Sequence, residues 1–291
     1  MKFSDYQRAA RETDQQVGTD LTDVAVHLLG LLGEAGSVAT QYKKRLRDGD
    51  GHTAWKARIR EELGDVLWYT ATLAGKLALD LDDVARANLQ KTRDRWLLTS
   101  ADPLDELYPE HERLPRHARF EFVPGTDPMT SRPTAQVRWG ERWCGDRLTD
   151  ASHVDDGYRF HDVFHLAYAA VLGWSPVTRK LLDRKRRSNP QVDLAEDGGR
   201  AIVIEEGIAA MAFAYATSHD YLRDVTRLDF QLLDVIISLV APVEVGTRTA
   251  ADWEFAILTG FSAWRQLRES NGGTIILNAD ERTLTIDVPR S

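Results

Sequence analysis

The sequence predicts a mainly α-helical protein with a small β component, and two patterns support this prediction. Apolar residues recur at helical spacing from about residue 20 to residue 96, which predicts a helical bundle. Further helical patterns occupy 159–172, 175–187, 201–217, 229–240 and 251–269. Short alternating stretches predict strands at 120–123 and 136–139, and a hairpin at 274–277 and 283–288.

A change of composition near residue 100 predicts two domains. The segment 100–118 is rich in proline, histidine and charge, which is typical of a linker. We therefore predict a four-helix-type bundle in 1–99 and a second, mostly helical domain with short strands in 119–291. Within the bundle, 48–51 and 79–83 predict breaks between helices, with Asp80 or Asp82 capping the last helix.

Bulk composition limits the classes of protein. The 291 residues are 43% hydrophobic and 28% charged, an ordinary globular balance. The polar N-terminus and the lack of a long apolar run predict no signal sequence and no membrane partner. The single cysteine, Cys144, excludes an internal disulfide framework. We therefore expect a cytoplasmic protein. The net charge of −8 argues against broad nucleic-acid binding.

Three carboxylates of the first half lie in apolar surroundings. Glu34 interrupts the segment GLLGEAGSVATQYKKRLRDG, and Glu62 and Asp65 are three residues apart, so they share one face of a helix. Buried carboxylates are costly unless a cation meets their oxygens, and Mg²⁺ prefers oxygen ligands. We expect the two helices to cross at small residues, namely Gly33, Ala35 and Gly36.

Basic and aromatic residues nearby suggest how a phosphorylated ligand is held. Lys43 and Lys44 follow Glu34 by two to three turns. A later helix carries a stripe at i, i+3 and i+7 that suits phosphate, formed by Asn88, Lys91 and Arg95. Trp68 and Tyr69 either flank a base or belong to the core. The alternative for the acids is an ordinary cap, salt bridge or solvated face.

These motifs resemble those of the MazG-type nucleoside triphosphate pyrophosphohydrolases, all-α enzymes of the same superfamily as the dimeric dUTPases. The resemblance rests on GEAG, on KKRLRDG, on ELGDVLWY and on NLQKTRDR, in this order between residues 20 and 96. The family signature has E-x-x-E on one helix and E-x-x-D on the next. By position, Glu34 matches the first acid and Glu62 and Asp65 the last two, whereas Ser37 replaces the second.

The resemblance implies hydrolysis of an NTP or dNTP to the monophosphate and pyrophosphate with Mg²⁺, or with Mn²⁺ as an alternative. It assigns Glu34, Glu62 and Asp65 to the metal, and it implies a site at a helical interface in a homo-oligomer. Because Ser37 lacks a carboxylate, three outcomes stay open. The enzyme works with fewer ligands, a residue elsewhere supplies the missing oxygen, or the protein is a nucleotide sensor that binds without hydrolysis.

The second half has its own cluster of candidate ligands. His161, Asp162 and His165 lie within about one helical turn. Glu205 and Glu206 interrupt an apolar helix, and either carboxylate could supply the oxygen that Ser37 lacks. One reading is an HD-type metal-dependent phosphohydrolase, although His153 is closer to His161 than that fold expects. Another is a pair of structural histidines. A third is a degenerate, permuted copy of the first half that forms an internal pseudo-dimer with it.

Overall fold

The structure, a computed structural model, describes residues 1–99, 102–150 and 154–287. Its contacts divide the chain into two compact units, 1–93 and 94–291. The boundary falls near the end of the fourth helix, Leu81–Trp96.

The first unit is all α-helical, as predicted. Its helices are α1 (Phe3–Glu12), α2 (Leu21–Asp48), α3 (Trp55–Lys76) and α4 (Leu81–Trp96). The sequence patterns missed α1. Of the two candidate caps, Asp80 accepts the Asp83 amide at the start of α4, whereas Asp82 accepts the amides of Phe3 and Ser4 at the start of α1.

The first unit buries few apolar side chains. Its buried cluster consists of Ala10, Ala71, Ala74 and Leu81. Leu29 and Leu32 on α2 are 69% and 70% exposed. A unit of this size normally needs a larger core for stability, so an apolar face of α2 lies uncovered within it.

The same helix bears on the membrane prediction. By length and composition alone, Leu21–Gly51 could cross a membrane, and 6% of its most apolar window is buried. The expectation that no segment has this property is therefore wrong. A single helix of this kind near the N-terminus is weak support for a membrane protein, because core helices and signal sequences share the same properties.

The described part of the second unit combines an antiparallel sheet with six α-helices. The strands are β1 (His117–Thr126), β2 (Pro133–Trp139), β3 (Arg142–Thr149), β4 (Gly273–Asn278) and β5 (Thr283–Asp287), in the order β3-β2-β1-β4-β5. The helices are α5 (Asp162–Leu172), α6 (Pro176–Leu182), α7 (Pro190–Ala195), α8 (Gly199–Thr217), α9 (Phe230–Val240) and α10 (Ala250–Ser270). The predicted hairpin is present up to Asp287, and residue 288 lies outside the described residues.

Three elements of the second unit differ from the sequence prediction, and one of them, α7, lies between predicted helices. The sequence analysis did not predict β3, which pairs with β2 across a turn at Gly140, whose φ of 59° favours glycine. The helix predicted at 175–187 ends at Leu182, because Asp183 adopts a left-handed conformation with φ 54°.

The core of the second unit forms around α5. Every residue of α5 is buried, and the helix packs mainly on α10. Aromatic side chains fill this contact, with Phe164 and Phe261 ring centroids 4.6 Å apart. On β1, Phe120 and Phe122 point to the same interior because alternate residues of a strand share a face.

The described part of the predicted linker, 102–118, instead packs into the second unit. Asp105, Glu112 and Leu114 are all buried there. Asp105 accepts hydrogen bonds from the Leu114 amide at 2.7 Å and from Arg179 at 2.8 Å. The charged residues of this segment had favoured a linker, but one of them, Asp105, forms a buried ion pair with Arg179.

The stability of the second unit should depend on Asp105. Burial by itself raises the pKa of Asp105, but Arg179, the Leu114 amide and Arg116 lower it more, so the pKa lies below its ordinary value. The contribution of ionised Asp105 to the free energy of unfolding is therefore complete above the pKa of Asp105 in the unfolded chain, about 3.9. It is lost as the pH falls through the lower pKa of Asp105 in the folded protein. Asp105→Asn removes the carboxylate charge that pairs with the buried guanidinium of Arg179 and should cost about 3–5 kcal/mol at pH 7.

Urea unfolding of this variant between pH 7 and pH 3 measures both effects. The matched control is Asp287→Asn, because Asp287 pairs with Arg119 at an exposed site, where an ion pair contributes about 0–1 kcal/mol. Equal losses of stability in the two variants at pH 7 would contradict the role of Asp105.

Candidate active site

The first unit gathers the three predicted acids in one place. Glu34 lies on α2, and Glu62 and Asp65 lie one turn apart on α3. One carboxylate oxygen from each lies within 4.8 Å of the others. The side chains are half-buried or exposed, so a ligand can reach the cluster from solvent.

Gly30 sets the approach of the two helices, one turn before Glu34. A Cβ at Gly30 would lie 2.3 Å from a ring carbon of Tyr69, so a larger residue here would require this ring to move. The expected contact at Gly33, Ala35 and Gly36 is wrong. A Cβ at Gly33 or Gly36 would meet no atom within 4 Å, and Ala35 is exposed, because these residues face away from α3.

Neutral side chains occupy the α2 positions that follow Glu34. The Gln41 amide donates to Glu62 Oε1 at 3.1 Å. The Ser37 side chain hydrogen-bonds to Glu34. Ser37 therefore adds a hydroxyl group to the cluster but no fourth negative charge.

The electrostatics of the cluster favour a cation. Partial burial and the negative charges of Asp65 and Glu62 raise the pKa of Glu34, against the opposing hydrogen bond from Ser37. All three residues of this cluster offer carboxylate oxygens as metal-ligand atoms, and such oxygens suit a hard divalent ion that keeps several waters. The residues present therefore fit Mg²⁺ or Mn²⁺.

The predicted phosphate-binding residues have different surroundings. Lys43 is exposed and Lys44 half-buried on α2, and Asn88 and Lys91 are exposed on α4. Arg95 belongs to the second unit, where it donates to the Leu228 carbonyl at 3.0 Å and lies 3.9 Å from Glu254. These contacts occupy Arg95 in a structural role, so we remove it from the phosphate-binding set.

The aromatic residues near the acids make structural contacts. The indole of Trp68 donates to the Thr13 hydroxyl at 2.8 Å and packs on the small core of the unit. Tyr69 covers Gly30 and contacts the Trp68 ring edge to face. These contacts correspond to the core alternative for both residues.

Sequence reasoning missed a buried polar group beside the site. His27 bonds to the Asp23 carbonyl at 3.0 Å and to Asp14 at 3.1 Å, and Lys76 pairs with Asp14 at 3.1 Å. This group fastens the segment before α2 onto α2 and α3. His27 and Lys76 lie on predicted helices and could have suggested a buried acidic partner. Asp14 lies in a segment with no helical pattern, so the sequence does not identify it as that partner.

The second unit brings most of the second candidate cluster together. One nitrogen each of His161 and His165 and one oxygen of Glu206 lie within 4.8 Å of one another. Asp162 lies beside them, 3.9 Å from His161 Nε2. His153, which the HD-type reading considered, lies outside the described residues.

Glu205 has a structural role that rules it out as the missing ligand. It is fully buried, and its oxygens accept hydrogen bonds from His165, from Ser175 and from the Val177 amide. Of the alternatives for the oxygen missing at Ser37, replacement by Glu205 is therefore excluded.

Family models match both units. A model described as the MazG nucleotide pyrophosphohydrolase domain matches residues 13–96, and one described as the MazG C-terminal domain matches residues 99–290. The permuted-repeat hypothesis for the second half stays a prediction.

Curated relatives match part of the chain. Gene 37 protein of Mycobacterium phage L5 is 42% identical over 96 residues, which are 31% of this chain and 84% of that protein. The dCTP pyrophosphatase 1 proteins of Bos taurus and Mus musculus are 32% and 33% identical over 73 residues. These 73 residues are 24% of this chain and 43% of each relative. No solved structure matches the chain.

The order and extent of these matches identify the family. The model of the C-terminal domain alone covers more than half of the chain, and the pyrophosphohydrolase model covers the helices that carry the three acids. The chain therefore belongs to the MazG family of nucleoside triphosphate pyrophosphohydrolases.

Proposed function

We propose that the first unit hydrolyses nucleoside triphosphates to the monophosphate and pyrophosphate with Mg²⁺, or Mn²⁺, held by Glu34, Glu62 and Asp65. The observation that carries this proposal is the convergence of three carboxylates within 4.8 Å at the contact of α2 and α3. A bound divalent ion would neutralise charge on the triphosphate as the α–β bond breaks.

The chain's own residues supply positioning and proton transfer. A carboxylate of the acid cluster orients a water for in-line attack on the α-phosphorus and accepts its proton. The new bond joins the water oxygen to this phosphorus, and the bridging oxygen leaves with pyrophosphate. Lys43 and Lys44 on α2 are the first candidates for the outer phosphates, and Asn88 and Lys91 on α4 are the second.

The substrate panel should begin with dCTP. Two relatives of this chain are dCTP pyrophosphatases, but they align with it over only 73 residues, at 32% and 33% identity. The other NTPs and dNTPs belong in the same panel because the indole of Trp68 is engaged with Thr13 and offers no basis for a choice of base.

The uncovered face of α2 supports assembly into a homo-oligomer. Four exposed apolar residues follow one another at i, i+4, i+7 and i+11, namely Leu28, Leu32, Ala35 and Ala39. This spacing gives a continuous apolar stripe that suits packing of helix against helix. Together with the small core, it indicates that a second copy of the unit covers α2.

Activity should depend on the acid cluster. Glu62→Gln or Asp65→Asn should lower kcat for pyrophosphate release by about 100-fold or more, the scale for losing one group that stabilises transition-state charge. The matched control is Glu61→Gln, because Glu61 is exposed and pairs with Arg58 on the same helix. Full activity in both cluster variants would refute the site.

Position 37 should report on the charge of the same cluster. Ser37→Glu adds a fourth carboxylate, so the melting temperature in EDTA should fall below that of Ser37→Gln, which has the same size without charge. Mg²⁺ should then stabilise the Glu variant at lower concentration, by about 2.7 kcal/mol at 100 times its Kd. Identical melting of the two variants with and without Mg²⁺ would place Ser37 outside the cation site.

The α2 stripe should control association. Leu32→Glu introduces a charge at a position that is 70% exposed in the unit, so the single chain tolerates it whereas a packed interface does not. Sedimentation velocity should show dissociation of the Leu32→Glu protein. Leu107→Glu, at a residue 98% exposed in the second unit, is the control. A monomeric wild-type protein would contradict the assembly.

A further inference from the structure

The second unit contains a set of metal-ligand atoms separate from the acid cluster. His161 immediately precedes α5, His165 lies one turn into α5, and Glu206 faces them from α8. The MazG C-terminal match covers this region, whereas the pyrophosphohydrolase match ends at residue 96. These three residues therefore have no assigned part in the first unit's hydrolysis.

Both imidazoles are oriented through Nδ1. His161 Nδ1 lies 3.0 Å from the Tyr158 carbonyl, and His165 Nδ1 lies 2.8 Å from Glu205 Oε1. Each partner is an acceptor, so Nδ1 carries the proton and donates it. Metal-bound histidines characteristically donate their second ring N–H to a carbonyl or carboxylate in this way, which leaves Nε2 for the ion.

The Nε2 atom of His165 has no hydrogen-bond partner. The side chain is 0% exposed, and Nε2 lies 3.5 Å from Glu206 Oε2 without forming a hydrogen bond. An unpaired buried polar atom is costly, and such atoms call for an explanation such as an ion. This nitrogen points toward the carboxylate that would complete an ion's coordination.

A proton competes with a metal ion for Nε2 of His165, because an imidazole nitrogen must be unprotonated to bind an ion. Binding of an ion to this cluster should therefore weaken as the pH falls.

The donor set and access indicate the class of ion. We propose that His161, His165 and Glu206 bind a divalent transition-metal ion such as Zn²⁺, with an open position for water or a ligand. Two imidazoles and one carboxylate suit zinc and its neighbours better than Mg²⁺. Glu206 is 43% exposed and His161 13%, which gives the ion a path from solvent.

The geometry requires only a small closure. Ligand atoms about 2.0–2.1 Å from one ion lie at most about 4.2 Å apart, whereas the present atoms lie within 4.8 Å. The exposed Glu206 side chain can close this gap by rotation. Asp162, 3.9 Å from His161 Nε2, adds negative charge at the same place.

Calorimetry on the full chain tests this site independently of hydrolysis. The background carries Glu62→Gln and Asp65→Asn, which disable the acid cluster. Zn²⁺ should bind with one equivalent per chain. Co²⁺ should give the visible absorption of a nitrogen-ligated ion.

Variants decide whether these residues form the site. On the same background, His161→Ala and Glu206→Gln should each weaken Zn²⁺ by about 100-fold or more, since losing an outer-shell partner alone costs 10- to 100-fold. The controls are His219→Ala and Glu269→Gln, both at exposed residues. Circular dichroism verifies folding. Absence of Zn²⁺ binding, or binding unchanged by both site variants, would overturn the proposal.

Discussion

Three like charges held within 4.8 Å are the constraint on which the rest of the first unit depends. Carboxylates this close repel one another, so the bare cluster is stable only because its surroundings moderate the charge. The Gln41 amide donates to Glu62, the neutral Ser37 hydrogen-bonds to Glu34, and solvent reaches all three acids. The same repulsion makes the site receptive to a divalent ion and to the triphosphate that such an ion accompanies. Gly30 is part of this arrangement because it lets α2 lie against the Tyr69 ring.

The two units reach stability by different means. The first has a core of one leucine and three alanines and keeps an apolar face of α2 exposed, so association with another copy would add the burial that the unit lacks. The second has a large aromatic core and buried ion pairs, such as Arg186 with Asp197 and Glu244. Its two histidines are fixed on this rigid framework through Tyr158 and Glu205, which is the kind of support a metal ligand needs.

The sequence predicted α2, α3 and α4 and the pairing of Glu62 with Asp65 because both follow local rules, whereas α1 and α7 were missed. Helical periodicity revealed α2, α3 and α4, and the three-residue spacing placed Glu62 and Asp65 on one face. Contacts between distant segments were harder. The salt bridge of Asp14 with Lys76 joins segments far apart in sequence, and the charges of the predicted linker are buried through Asp105 and Arg179. Arg95 fitted a phosphate stripe by spacing, but Leu228 and Glu254 occupy it, and no periodicity reveals such partners.

The most direct test of the account is the fate of the water oxygen. The wild-type protein is incubated with dCTP, the other NTPs and dNTPs, and Mg²⁺ in ¹⁸O-enriched water, and the products are analysed by mass spectrometry. Attack at the α-phosphorus should give a nucleoside monophosphate with one ¹⁸O atom on its phosphate, together with unlabelled pyrophosphate. Label in pyrophosphate, or formation of a nucleoside diphosphate and phosphate, would contradict it.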